Sequence, residues 1–280
     1  MYKGILILLS ALLLLPNFIN RDINKQFAYD HIEKFNPSLL RIQTAEEMEA
    51  YTDSLAFTKG INVSSPEYFV LLENNIAERF YHSYSHYTLK ENWLAAVTEK
   101  FSAIALASKV RPAEIFKQPV AACSQQAIAM MQIAKNKAVG YRKVGFPHHY
   151  ALELYIKGNW YFFDPSKEPN VPLQARLHQN WALNANNLKP YYNNEKYSDI
   201  DLALGIGSSQ PILLGNENAD PAPRAVLLQD VTALLSKTLW ILPLLLLFMK
   251  AGKTKKLRRI QEAGAAGAGI MMLVFHFMFF

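Results

Sequence analysis

Residues 148–166 read HHYALELYIKGNWYFFDPS. The run Tyr150 to Ile156 alternates well enough for a strand, and Trp160 to Phe163 is aromatic and β-prone. Between them the Lys157-Gly158-Asn159 turn, with Gly158-Asn159 at its centre, supplies hairpin chemistry. Such a hairpin sets His149 at the start of one strand and Asp164 at the end of the next, a geometry in which a carboxylate orients an imidazole. Strand alternation turns only one of the neighbours His148 and His149 toward a given face, and the register favours His149.

An imidazole so oriented needs something to activate. Cys123 is the only cysteine, which excludes an internal disulfide and a cysteine-based metal cluster. It stands near the start of an apolar helical run, AACSQQAIAMMQIAKNKA, and the strand-like VGYRKVGF follows. The unpaired amides and dipole of a helix N-terminus favour thiolate over thiol, and an adjacent imidazole favours it further. The same amides can hold an oxyanion while an acyl group is attacked. A lone cysteine of this kind is ordinarily a small buried hydrophobe. His149 and Asp164 are what lift Cys123 to a candidate nucleophile, the three together being the parts of a nucleophilic acyl-transfer site.

The stretch Cys123 to Ser166 resembles the core of the transglutaminase-like cysteine-enzyme superfamily. There a cysteine heads an apolar helix, AGIPAR-x-V-x-G forms the next strand, H-A-W-x-E carries the histidine and G-x-W-x-x-x-D-P-T carries the aspartate. The resemblance implies Cys123 as nucleophile, His149 as general base with Glu153 at the motif's glutamate, and Asp164, before Pro165, as the group that orients His149. Arg142 and Trp160 match the arginine and tryptophan of the pattern as structural positions near the site, and Gln118 is a candidate oxyanion donor by analogy with papain-type enzymes. Ala138-Val139-Gly140 replaces Gly-Ile-Pro, Tyr141 replaces the alanine before the arginine, Ala121 stands where glycine is common, and Tyr150-Ala151 replaces Ala-Trp. The implied fold is α+β and papain-like: a helix carrying the cysteine, packed on an antiparallel sheet carrying the histidine and aspartate.

The flanks complete the expected organisation. Residues 1–19 have the layout of a signal peptide or signal anchor, with Lys3 ahead of the aliphatic run Gly4 to Leu15. Residues 20–65 read as a lead-in with a short helix near Ala45 to Leu55, and 66–206 as the transglutaminase-like domain. The domain opens with two helical patterns, one from Pro66 running through YHSYSH and one from Leu89. His82 and His86, four apart on the first, have metal-ligand spacing; no third ligand is evident, and an exposed aromatic helix face is the preferred reading, so no metal is expected. Residues 207–230 read as a linker, 231–249 as a transmembrane helix, 250–262 as a basic loop and 263–280 as a second transmembrane helix. The loop segment Lys250 to Arg259 holds six basic residues against a formal net charge of +6, so the rest of the chain is near neutral. That distribution argues against nucleic acid as a partner and, by the positive-inside rule, expects a multi-pass protein of the cytoplasmic membrane with its main domain extracytoplasmic.

Two functions compete on these residues. The first is a membrane-anchored thiol enzyme that attacks peptide or side-chain amides of a peptide or protein substrate through a thioester, hydrolysis being favoured over cross-linking, with no cofactor required. The second is a non-catalytic envelope binding or accessory module. The small-residue segment Gly264 to Gly269 would let an integral-membrane partner pack closely in either case.

Overall fold

The computed structural model describes residues 2–24, 34–102, 104–167, 170–192, 197–206 and 209–249. Its helices are α1 (Tyr2–Leu14), α2 (Ala45–Thr58), α3 (Pro66–Arg79), α4 (Leu89–Phe101), α5 (Pro112–Ile115), α6 (Cys123–Asn136), α7 (Leu173–Arg176), α8 (His178–Trp181), α9 (Tyr197–Leu204), α10 (Pro223–Thr238) and α11 (Ile241–Met249). Local chemistry sets the starts of the central ones. Thr44 caps α2 through the Glu47 amide, Pro66 occupies the first turn of α3, and Thr88 with Glu91 closes a reciprocal capping box on α4.

The strands are β1 (Gly140–Gly145), β2 (Tyr150–Ile156), β3 (Asn159–Phe163) and β4 (Leu213–Leu214), in one antiparallel sheet of order β3-β2-β1-β4. The hairpin turn is the two-residue loop Lys157-Gly158, both at positive φ (50° and 88°), with Ile156 paired to Asn159. This is the doubly left-handed geometry that matches strand twist, and glycine takes its second position without strain.

The sheet is buried on both faces. On one side Tyr141, Leu152, Leu154 and Phe163 pack against α6 and against α2 and α3 through Met48, Phe69 and Leu72. On the other, Val144, Ala151 and Phe162 pack with Trp181, Leu188 and Tyr192 from the irregular segment that follows β3. Burying each such large apolar side chain stabilises the fold by roughly 1.5–3 kcal/mol, and the two faces together clamp the hairpin that carries His149 and Asp164.

Several expectations are revised. Residues 34–65 are part of the domain, since Leu39, Ile42, Ala45, Met48 and Ala56 lie in the same core as the sheet. Residues 209–230 are not a free linker: β4 hydrogen-bonds to β1, and α10 starts at Pro223. Helix α3 ends at Arg79, so His82 and His86 share no helix face.

The multi-pass membrane topology is corrected. Among the described residues no single helix is long and apolar enough to cross a membrane; only the pair α10–α11, bent by 47°, meets the length and composition requirement when its halves are joined. One face of the first part of the run Val231 to Met249 is tied to the domain. Asn92, at a kink in α4, donates to the Gln229 carbonyl (3.1 Å) and Thr232 Oγ1 (2.9 Å) and accepts from Ser236 Oγ (3.1 Å). Gln229, Thr232 and Ser236 recur on one face of α10 and are buried, so that face is a polar seam against protein. The basic loop and the second apolar run lie outside the described residues.

Candidate active site

Cys123 is the first residue of α6. The helix is built from good formers, and Gln125 steadies its start: its side-chain oxygen accepts from the Ala122 and Ser85 amides, and its NH2 donates to the Ser85 and Lys109 carbonyls. This buried glutamine ties the helix that begins at Cys123 to the loops after α3 and α4. At the far end Lys137 closes the helix and Ala138 adopts a left-handed conformation (φ 54°), the position after the C-cap where glycine is favoured.

The hairpin supplies the other two groups. His149 immediately precedes β2 and Asp164 immediately follows β3, and His149 Nε2 lies 2.7 Å from Asp164 Oδ2. His149 is buried while His148 is exposed, so the register turns the second of the two imidazoles inward. With Nε2 engaged by Asp164, Nδ1 is the ring nitrogen left for the thiol of Cys123, which lies against the imidazole. Phe146 stacks on the His149 ring at 6.2 Å between centroids and 17° between planes, and its amide donates to the His149 carbonyl at 2.8 Å. These contacts fix the orientation of the base.

The environment shifts all three groups toward their charged forms. Burial pushes the Cys123 thiol up, but the hydrogen bond and charge of His149 and the Tyr150 backbone amide outweigh it and hold the thiol below its usual value of 9.0. Burial pulls His149 down, yet Asp164 and then Cys123 push it up to about 10. Burial likewise raises Asp164, and the His149 charge, the Tyr192 and Ser166 hydroxyls and the bond to His149 bring it below 3.8. The three shifts run in the direction of a thiolate facing an imidazolium that leans on a carboxylate, the groups titrating as a coupled set.

The aspartate has its own support, none of it evident in the sequence. Tyr192 donates to Asp164 Oδ2 (2.8 Å), Ser166 Oγ donates to Oδ1 (3.1 Å), and the Asp164 amide donates to Glu73 Oε1 (2.6 Å). Glu73 is paired with Arg176 (2.8 Å), both fully buried. Arg176 also donates to the carbonyls of Phe162 and Val171 and lies over the Phe163 ring, so it nails down the end of β3.

The other expected positions sort by place. Arg142 and Glu153 are cross-strand partners; Arg142 Nε donates to Glu153 Oε2 (2.8 Å), its guanidinium covers the Trp160 ring at 4.2 Å, and His178 joins through Glu153 Oε1 (2.8 Å). That cluster braces the sheet. The backbone carbonyl of Gln118 accepts from Arg79, and among the described residues its side-chain amide makes no hydrogen bond. In the first turn of α6 the Gln125 amide donates to the Ala122 carbonyl at 2.9 Å, and the amides of Cys123 and Ser124 are the helix-end amides closest in sequence to the thiol. Tyr84 is a further neighbour: burial and then the charge of Cys123 raise its hydroxyl above its ordinary value. His86 is held between Asp22 and Glu99, at 3.4 and 3.0 Å. Among the described residues no group of three or more His, Cys, Asp or Glu side chains could hold a metal ion.

Compared with protein-family models, with curated proteins and with solved structures, the chain matches none of them.

Proposed function

We propose that this chain is a thiol enzyme of the transglutaminase-like type, with a papain-like arrangement of nucleophile helix and sheet, that hydrolyses peptide or side-chain amides through a thioester. The observation that carries the reading is the 2.7 Å contact of His149 Nε2 with Asp164 Oδ2, together with a Cys123 thiol at a helix N-terminus that interacts with the same imidazole.

In this reading the Cys123 thiolate attacks the amide carbonyl, and the first-turn amides of α6 receive the oxyanion. The C–N bond then breaks as the leaving amine takes the proton held by His149. Water next gives a proton to His149 and attacks the thioester carbonyl; the C–S bond breaks, releasing a carboxylic acid and restoring the thiolate. Asp164 keeps the imidazole in the orientation that serves both steps. No cofactor enters either step.

The deciding experiment is the pH dependence of alkylation of Cys123 by iodoacetamide in the full chain and in His149→Ala. The reading expects fast labelling near neutral pH, slowed at least tenfold by the substitution because the thiol returns toward its ordinary value. Labelling at the pace of a free thiol, equal in both proteins, would discard the enzyme and leave a binding module.

A further inference from the structure

A cavity of about 240 Å³ is lined by Ser124, the residue after Cys123, and by Tyr84 and Tyr150, which also neighbour the thiol. Its floor is one face of α6, the i, i+3, i+4, i+7 set Ser124, Ala127, Ile128 and Met131, so it opens one residue beyond Cys123. Ala105 and Val110, from the loop after α4, form the facing apolar wall, and Tyr84 and Tyr150 stand at the rim nearest the thiol. Its size admits one side chain or a short acyl chain.

The cavity has one cationic member, Lys143. Lys143 and Tyr141 are alternate residues of β1 and share the face turned to α6. Its ammonium lies over the Tyr150 ring at 5.2 Å, and among the described residues it has no carboxylate partner. Glu99, which bonds the amide of the lining residue Ser108, is engaged by His86 and by the Ala107 and Ser108 amides. Farther along α6 the cleft continues into a second cavity of about 340 Å³ that shares Ile128 and Met131, but its cations are matched, Lys135 with Asp220 and Arg111 with Asp230. The unmatched positive charge is thus at the thiol end, against an apolar floor.

Resting on the thiol-enzyme reading above, we infer that this cavity is the acyl-side subsite and that it selects an apolar acyl group bearing a carboxylate, the chain lying on Ala127, Ile128 and Met131 and the carboxylate on Lys143. A peptide donor would place an apolar residue there with an acidic group one side-chain length away.

Haloacids that mimic the acyl group test this, because Cys123 is the chain's single cysteine and each alkylation is read as one mass increment. In each, the thiolate forms an S–C bond as halide leaves. Four reagents are compared on the full chain: iodoacetamide, iodoacetate, 2-bromohexanamide and 2-bromohexanoate. The His149 imidazolium attracts any anion, so the readout is the ratio of the 2-bromohexanoate rate to the 2-bromohexanamide rate within each protein, in which general effects on the thiol cancel. The subsite expects saturation by 2-bromohexanoate and a ratio that falls about three- to tenfold in Lys143→Met and is retained in Lys143→Arg. Ile128→Ala should weaken saturation while sparing the ratio. Fast iodoacetamide labelling with equal ratios in wild type and Lys143→Met overturns the subsite and leaves the activated thiol standing. Slow labelling by all four reagents, indifferent to His149→Ala, overturns both.

Discussion

Tyr192 donates its hydroxyl to Asp164 Oδ2 at 2.8 Å, the same oxygen that meets His149 Nε2. The aspartate therefore orients the imidazole with its own position fixed by a residue from the far side of the sheet. Tyr192→Phe removes one donor to a buried carboxylate and leaves the ring, so no cavity forms. The expected loss is about 1.5–3 kcal/mol in unfolding free energy, read from urea denaturation, with Cys123 alkylation slowed less than by His149→Ala. A loss below about 0.5 kcal/mol would show that Asp164 is held without it.

The His149 charge makes a signed prediction for pH. Its folded value of about 10 lies above the ordinary 6.5, so its contribution to stability is complete below pH 6.5 and is lost as pH rises through 10. Between those values the folded state holds the extra proton, and the contribution falls by about 1.4 kcal/mol per pH unit. Asp164, held below 3.8, runs the other way: its contribution is present above that value and is lost as pH falls through its lowered one. In a Cys123→Ala background, which removes one of the two groups that raise His149, the stability gap between His149 and His149→Gln proteins should shrink from pH 6.5 upward and level off below pH 10. A gap that does not change with pH would mean the imidazole is buried neutral.

Glu73 and Arg176 form a buried pair whose members also hold the Asp164 amide and the Phe162 carbonyl. Removing one partner strands the other, so Glu73→Ala should cost about 3–5 kcal/mol. Glu73→Leu combined with Arg176→Met should recover part of that loss in guanidinium unfolding. A double variant no more stable than Glu73→Ala alone would mean the hydrogen bonds to the backbone matter more than the charge pairing.

Ala138 sits at φ 54° just past the end of α6. A side chain in the left-handed region costs roughly 1–2 kcal/mol, which glycine avoids at some cost in unfolded-state entropy. Ala138→Gly should therefore stabilise the protein by about 0.5–1 kcal/mol, seen as a higher denaturant midpoint with unchanged slope. A lower midpoint would place the strain elsewhere in the turn.

The sequence by itself determined the hairpin, the helix that begins at Cys123 and the pairing of His149 with Asp164. Those follow from local rules: period-two alternation in Tyr150 to Ile156, a turn that wants glycine at 158, and strand ends that must meet once the turn closes. It did not determine what stands behind Asp164. Glu73, Arg176 and Tyr192 are polar residues far away along the chain, indistinguishable in a sequence from solvated ones, and only the packing of α3 and of the segment after β3 against the sheet brings them together. Nor could it say what solvent the apolar run from Val231 faces, because lipid and protein interior select the same residue types. Tertiary contacts decided it for one face of α10: Gln229, Thr232 and Ser236 are buried there and bond to Asn92 on α4 and, through the Gln229 side chain, to the Leu106 and Ser108 carbonyls, as buried polar groups require.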